Sequence, residues 1–380
     1  PLLLRRARGW VPGSFALPVA AARPLVACGA DLKNTFCLAR GNEAWLGPHV
    51  GDLGSEASLA ALADGVAHLG GLFAVAPEVV VHDLHPDFHS TSFARSLGLP
   101  AIAVQHHHAH LAAVLAEHGE AGPALGVLFD GMGLGSDGTL WGGEFLAGDL
   151  AACARVGHLL AVPQPGGDRA AREPWRMACA WVQAACGSGV PPPVGLATRL
   201  AEPLWHDVAA LAARGVAAPQ TSSVGRLFDA VAALCGLHTH TSYEGQAAIA
   251  LEAAAGGSAA EGYHLEVDDS GGVLVLDPRA AIRAVVADIA AGVAPGQVSA
   301  RFHAGLAAAT AAAALRLAAA HGLDRIVLSG GVFQNRLLLA ATAARLIAAG
   351  RRVLLARALP ANDGAIAFGQ AAVAAARLAA

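Results

Sequence analysis

Short apolar runs alternate with polar turns along this chain, and their order repeats. Three strand-like runs come first, at residues 24–28, 35–39 and 44–50. Tight turns at Asp31-Leu32-Lys33-Asn34 and Arg40-Gly41-Asn42-Glu43 join them as predicted hairpins. A helix-period stretch follows at 55–73, with Ser55 placed to cap it. A strand at 78–81, a helix at 91–97, a strand at 101–104 and a helix at 106–118 complete a βββαβαβα unit. The order then restarts with strands at 124–129, 139–146 and 155–161. After a long helical stretch come strand 325–328, helix 335–349, strand 352–355 and a last helix at 363–376.

This repetition predicts two lobes of related topology with a ligand cleft between them. The expected divisions are a lead segment, 1–23, from a preceding module; lobe I, 24–121, to which the closing helix 363–380 returns; and lobe II, 122–362, with a helical insertion at 162–300. In each lobe the first strand ends on a turn with an aspartate, Asp31 or Asp130. These carboxylates are expected to face each other across the cleft.

Composition narrows the function classes. The 380 residues are 55 % hydrophobic and 14 % charged, enough apolar surface for a sizeable core. A net charge of -4 with scattered arginines argues against nucleic-acid and anionic-membrane partners, which demand clustered positive charge. No window reaches the roughly 18 uninterrupted apolar residues of a membrane span, and the alanine run at 304–315 reads as a buried helix. The six cysteines lack CxxC spacing and no leader pattern opens the chain, which predicts free thiols in the cytoplasm. The first residue is Pro1, so the chain is expected to be part of a longer polypeptide. Among 25 basic residues the single lysine is Lys33. In a chain that uses arginine almost everywhere, it marks either a chance surface charge or a need for a compact ammonium.

Residues 104–111, VQHHHAHL, place four histidines in five positions at a predicted helix start. His106 and His110 share a face at the spacing of a metal-ligand pair, and His107 with His110 is the competing pair. A solvated helix start or hydrogen-bonded core histidines would explain the same residues without a metal. Asp130 and Asp363 offer carboxylates at strand ends, although Asp363 also stands where a helix cap belongs. Gly131-Met132-Gly133-Leu134-Gly135 lacks the following helix that a dinucleotide fingerprint needs, and is expected as a flexible hairpin able to approach phosphate. Ser329-Gly330-Gly331-Val332-Phe333-Gln334-Asn335 follows a strand and opens a helix, which predicts a phosphate- or ribose-binding turn. Gly166-Gly167-Asp168 and Tyr243-Glu244-Gly245-Gln246 are polar islands that can reach a nucleotide. His82-Asp83-Leu84-His85-Pro86-Asp87 either lines the cleft or forms a capped turn. No nucleophile elbow is present, and Trp175 and Trp181 read as core.

Taken together, Gly29-Ala30-Asp31-Leu32-Lys33-Asn34-Thr35-Phe36-Cys37, His82-Asp83-Leu84-His85-Pro86, the histidine cluster, Phe129-Asp130-Gly131 with Trp141-Gly142-Gly143-Glu144-Phe145, and the Ser329–Asn335 turn closely resemble the hydrogenase maturation carbamoyltransferase family, HypF. Arg172-Glu173-Pro174-Trp175-Arg176 and Tyr243-Glu244-Gly245-Gln246 fit as well, and the match runs along almost the whole chain. The resemblance implies an α/β, Kae1-like fold with the two lobes of actin, Hsp70 and sugar kinases. It implies that carbamoyl phosphate and ATP yield carbamoyl adenylate, and that the carbamoyl group passes to the C-terminal cysteine of the partner HypE. Dehydration there makes the cyanide ligand of a nickel-iron centre.

By motif, the resemblance implies His106, His110, Asp130 and Asp363 as ligands of one divalent metal, iron or zinc, with magnesium a further option. It places Asn34, Gly131, Asp168, Glu244, Gly330, Gly331 and Asn335 around the nucleotide. Lys33, with Asp31, would act on the carbamoyl group or the departing AMP, a cation aimed at developing negative charge. Family members carry an acylphosphatase-like module, zinc-finger-like motifs and a YrdC-like adenylating domain ahead of this region. None is legible here, so the expectation is transfer from supplied carbamoyl adenylate rather than its formation. The rival readings are an O-carbamoyltransferase acting on a small natural product, a tRNA threonylcarbamoyl transferase and a non-catalytic nucleotide-binding scaffold.

Overall fold

A computed structural model describes residues 3–7, 9–256 and 261–380. Lobe I is built on β1 (Ser14–Ala27), β2 (Cys37–Leu46), β3 (Val79–Asp83) and β4 (Ala101–Val104), in the sheet order β2-β1-β3-β4. β2 is antiparallel to β1, and β1, β3 and β4 are mutually parallel. Helices α1 (Glu56–Phe73), α2 (His89–Ser96) and α3 (His106–Glu117) follow β2, β3 and β4. Ser55 caps α1 as expected, its Oγ accepting from Ser58 N at 3.2 Å.

Two local expectations fail for physical reasons. Residues 35–50 do not form two strands around a turn: Arg40-Gly41-Asn42-Glu43 lies within a continuous β2, and the irregularities are register shifts on the β1 side, between Ala16 and Ala21 and between Ala21 and Leu25. β1 also begins at Ser14, well before Pro24, although Pro18 argues against a strand. The proline is tolerated because β3 pairs only with Leu25, Val26 and Ala27, so Pro18 needs no ladder partner on that side.

Lobe II repeats the plan with β5 (Ala124–Leu134), β6 (Leu140–Gly148), β7 (Cys153–Leu159), the short β8 (Val162–Pro163) and β9 (Gln220–Thr221), β10 (Glu266–Asp268), β11 (Leu274–Asp277), β12 (Arg325–Ser329) and β13 (Arg352–Leu355). The main sheet runs β10-β11-β7-β6-β5-β12-β13. Within it β6-β5-β12-β13 are related as antiparallel, parallel, parallel, which repeats β2-β1-β3-β4. The insertion carries α4 (Arg169–Arg172), α5 (Trp175–Cys186), α6 (Val194–Ala197), α7 (Glu202–Ala213), α8 (Val224–Leu234), α9 (Gln246–Ala255) and α10 (Arg279–Ala290). It is not helical throughout, because β10 and β11 extend the sheet; two runs this short are easily lost among helical segments.

Three helices complete the chain: α11 (Pro295–Ala320), α12 (Arg336–Ala348) and α13 (Ile366–Ala379). Among the described residues α11 alone is long and apolar enough to cross a membrane, and it lies mostly buried in the lobe II core, as the alanine run predicted. Trp175 and Trp181 are buried in the same core.

The connections at the two lobe ends place the site. α3 leaves lobe I yet packs on β5 and β12 of lobe II as well as on β1, while α13 leaves lobe II and packs on β1. The two helices cross at backbone contact: a Cβ added at Gly369 would stand 1.9 Å from the carbonyl oxygen of Ala109. Gly369→Ala should therefore force α3 and α13 apart and destabilise the chain by about 1–3 kcal/mol. The expected readout is a lower urea midpoint at unchanged slope.

Candidate active site

The start of α3 and the approach to α13 meet at the lobe boundary. Gln105 caps α3 by accepting from His108 N at 2.9 Å, and the helix is buried through Ala116. His106 and His110 project from α3, Asp130 comes from β5, and Asp363 opens the short turn into α13. The Nε2 atoms of both histidines lie 3.3 Å from Asp130 Oδ2, and 3.7 and 3.6 Å from Asp363 Oδ1. One ligand atom from each of the four lies within 4.8 Å of the others. Donors about 2.1 Å from one divalent ion stand about 3.4 Å apart in tetrahedral geometry, so the spacing fits.

The chemistry of the donor set fits too. Asp83 Oδ2 lies 2.8 Å from His106 Nδ1, and a carboxylate only accepts, so in the neutral ring the proton sits on Nδ1 and Nε2 turns a lone pair inward. His110 has no such support, its Nδ1 being buried without a partner. Two carboxylates and two imidazole nitrogens gathered out of water repel one another unless a cation or proton stands between them. With protein groups alone, protons take that place. Burial opposes charge on His106, but Asp83, Asp130 and Asp363 outweigh it and raise the ring well above its ordinary range. Burial and Asp130 push the Asp363 carboxyl up, yet hydrogen bonds from His106 and His110 hold it at about 2.

Asp130 reaches this point through a bulge. Phe129 pairs with Gly143 and Gly133 with Trp141, so three β5 residues stand opposite one on β6. Ser223 pins the bulge: its Oγ lies 2.9 and 2.7 Å from the carbonyls of Asp130 and Gly131, and it also caps α8. A Cβ at Gly133 would come within 2.8 Å of the His106 and His107 rings. Gly133 thus lets β5 pass over the histidines, and Gly135 makes room for the Trp141 ring. His107 sits beside Trp141, with ring centroids 6.0 Å apart, and His108 Nε2 donates to the Asp149 carbonyl at 2.8 Å. Of the two competing pairs, it is His106 with His110 that faces Asp130 and Asp363.

An interlobe cavity of about 330 Å³ adjoins the centre, lined by Lys33 of lobe I and by Asp130, Gly131, Glu244, Gly331 and Asn335 of lobe II. Lys33 holds a left-handed backbone, φ 49°, and its N–H donates to Asp52 Oδ1 at 3.2 Å. Its ammonium pairs with Glu244 across the cleft. Desolvation works against that charge, but Asp363, Glu244 and Asp130 outweigh it and raise Lys33 above its ordinary value. The Lys33 turn is tied to α13, because the buried Gln370 side chain accepts from Gly29 N at 2.9 Å and donates to Gly29 O at 3.2 Å.

Of the residues expected around the nucleotide and the carbamoyl group, four lie outside the cavity lining. Both carboxylate oxygens of Asp31 accept from the first N–H groups of α2, those of His89 and Ser90, so Asp31 caps a helix of its own lobe instead of facing Asp130. Asn34 is buried and donates to Cys28 O at 2.8 Å, which fixes the turn. Gly330 donates to Ala361 O, and Asp168 is exposed where α4 begins. The start of α12 is not a free anion site either. Asn335 Oδ1 accepts from Leu338 N at 2.9 Å and Glu252 Oε1 from Arg336 N at 2.7 Å, which occupies two opening amides and sets a carboxylate where phosphate was expected. Gly331 N is directed at the centre, donating to Asp130 Oδ1 at 3.1 Å.

Residues 20–117 match the family model of the HypF Kae1-like domain, and residues 126–370 that of the second subdomain of the carbamoyltransferase Kae1-like domain. The chain belongs to the HypF carbamoyltransferase family. Carbamoyltransferase HypF2 of Cupriavidus necator is 44 % identical over 97 % of the chain and 48 % of its own length, and HypF of Rhodobacter capsulatus 44 % over 100 % and 50 %. The chain thus spans about half the length of these HypF relatives. A HypF homolog of C. necator, 42 % identical, is matched over 93 % of the chain and 91 % of its own length. A crystal structure of full-length HypF in the phosphate- and nucleotide-bound form superposes on 100 % of the chain and 59 % of its own, with a TM-score of 0.93 at 34 % identity.

Two polar residues of this cleft are not reached by motif reasoning, whereas Asp83, which orients His106, lies in the His82–Asp87 motif that was expected to line the cleft or form a capped turn. Arg226 and Asp229 line the cavity from α8, with Arg226 Nη2 3.0 Å from Asp229 Oδ2. Arg226 Nε and Nη1 are buried without partners, and burial, opposed by Arg226, pushes the Asp229 carboxyl up to about 6. Their signal was an i, i+3 charge pair inside an apolar helix, where buried charges are rare unless paired. Burial pushes the Cys28, Cys179 and Cys235 thiols up to about 12, which keeps these three from acting as thiolates.

Elemental analysis of purified variants tests the centre. His106→Ala and His110→Ala should lose the bound metal and His107→Ala should keep it, while Asp83→Ala weakens binding about 10–100-fold by freeing the His106 ring. Full metal content in His110→Ala would show that these four donors are not the site.

Proposed function

We propose that this chain transfers a carbamoyl group from carbamoyl adenylate to a protein thiol, a step that prepares the cyanide ligands of a nickel-iron hydrogenase. The observation that carries the reading is the meeting of the four-donor centre and Lys33 at one interlobe cavity, in a chain of the HypF family. The nucleotide-bound state of the HypF crystal structure supports placing an adenylate there.

In this reading His106, His110, Asp130 and Asp363 hold a divalent metal, iron or zinc, with magnesium the alternative. When bound, the ion supplies positive charge for a phosphate oxygen and acts as a Lewis acid. Gly131, Glu244, Gly331 and Asn335 wall the nucleotide. Lys33, now paired with Glu244, exchanges that partner for the carbamoyl oxygen or the phosphate, where negative charge builds as the bond breaks. The acceptor is the C-terminal cysteine of a HypE-like partner. Its sulfur attacks the carbamoyl carbon, the new C–S bond forms as the C–O bond to phosphate breaks, AMP leaves with the electron pair, and the thiol proton is released. A YrdC-like adenylating domain makes the adenylate from carbamoyl phosphate and ATP. A cytoplasmic setting suits the six free cysteines.

Mass spectrometry of the partner's C-terminal peptide, after incubation with the chain and carbamoyl adenylate, should register the carbamoyl adduct. Lys33→Ala should slow its appearance about 100-fold or more while partner binding persists. Unchanged transfer in that variant would favour a scaffold, and no adduct with the unaltered chain would sink the activity.

A further inference from the structure

His303, on α11, is buried at 4 % exposure and belongs to no motif. Its Nδ1 lies 2.8 Å from the Ser299 carbonyl, which can only accept, so Nδ1 carries the ring proton. The bare Nε2 then accepts from Asn335 Nδ2 at 2.8 Å. That contact assigns the Asn335 amide: nitrogen toward His303 and oxygen toward Leu338 N at 2.9 Å, where it caps α12. A flipped amide would set its oxygen against the imidazole lone pair and its NH2 against the Leu338 N–H, two repulsions in a buried place. The ring cannot turn away to relieve them. Phe228 meets it at 5.3 Å between centroids and 65°, and Phe302 at 6.1 Å and 78°.

Asn335 keeps one Nδ2 hydrogen and one Oδ1 lone pair for other partners, and it lines the cavity together with Phe228. We infer that His303 is a positioning residue for this wall: it locks the Asn335 amide in the orientation that both caps α12 and meets the ligand. The lock needs a neutral ring, since a proton on Nε2 would face the Asn335 NH2, and burial lowers the affinity of His303 for that proton. Ser299 Oγ donates to Leu251 O, so the chain Leu251–Ser299–His303–Asn335 links α9, α11 and α12 behind the cavity. The effect on a ligand rests on the nucleotide reading above, whereas the lock itself does not.

The test compares His303→Leu, which removes the acceptor, with His303→Gln, whose side-chain oxygen can replace it. Calorimetry with ADP on the metal-loaded chain should show about five- to tenfold weaker binding for His303→Leu and binding within about twofold of the unaltered chain for His303→Gln. In 15N-labelled protein the two Asn335 side-chain N–H signals should keep their positions in the unaltered chain and in His303→Gln, and move toward those of a free amide in His303→Leu. The inference is overturned if His303→Leu keeps both the signals and the affinity, or if His303→Gln, melting like the unaltered chain, behaves as His303→Leu does. Absence of ADP binding by the unaltered chain would remove the nucleotide reading, and the amide signals alone would then decide the lock.

Discussion

The backbone contact between α3 and α13 is the constraint on which the site depends. Each helix follows the last strand of its lobe, and their crossing at Ala109 and Gly369 brings the two helix starts together. His106 and His110 stand at one start and Asp363 at the other. No side chain larger than hydrogen fits at the crossing, because the interior is already close-packed there. Gln370, one residue further along α13, clasps the Gly29 backbone and so sets the Lys33 turn against the same point. One packing decision thus places groups that are more than 300 residues apart in sequence.

A second layer of control is electrostatic. Buried carboxylates and imidazoles do not gather without a cation or protons to separate them, so the cluster demands one or the other. The surrounding groups shape that demand. Asp83 fixes the His106 ring, Gly331 donates to one Asp130 oxygen, and the Asp130 bulge leaves the other oxygen facing both histidines. By contrast, the start of α12 is satisfied within the protein by Asn335 and Glu252. The cations that line the cavity are Lys33 and Arg226, and no vacant helix dipole stands beside them at α12.

The sequence by itself determined the doubled topology and the chemistry of the centre. Outside the 162–300 insertion, hydrophobic periodicity located most strands and helices of both lobes, since alternation and helical period are local properties of the chain. The His106–His110 pair was open to view because one helical turn fixes which residues share a face. What stayed hidden was set by distant neighbours. Pro18 belongs to β1 because β3 stops short of it, Asp31 caps α2, and Gly133 and Gly135 serve ring packing as much as turn geometry. Arg226, Asp229 and His303 look like ordinary helix residues until the fold turns them toward the cavity wall. The tertiary structure alone decided these roles, because a side chain's partner across a lobe boundary is fixed by packing between elements and not by spacing within one.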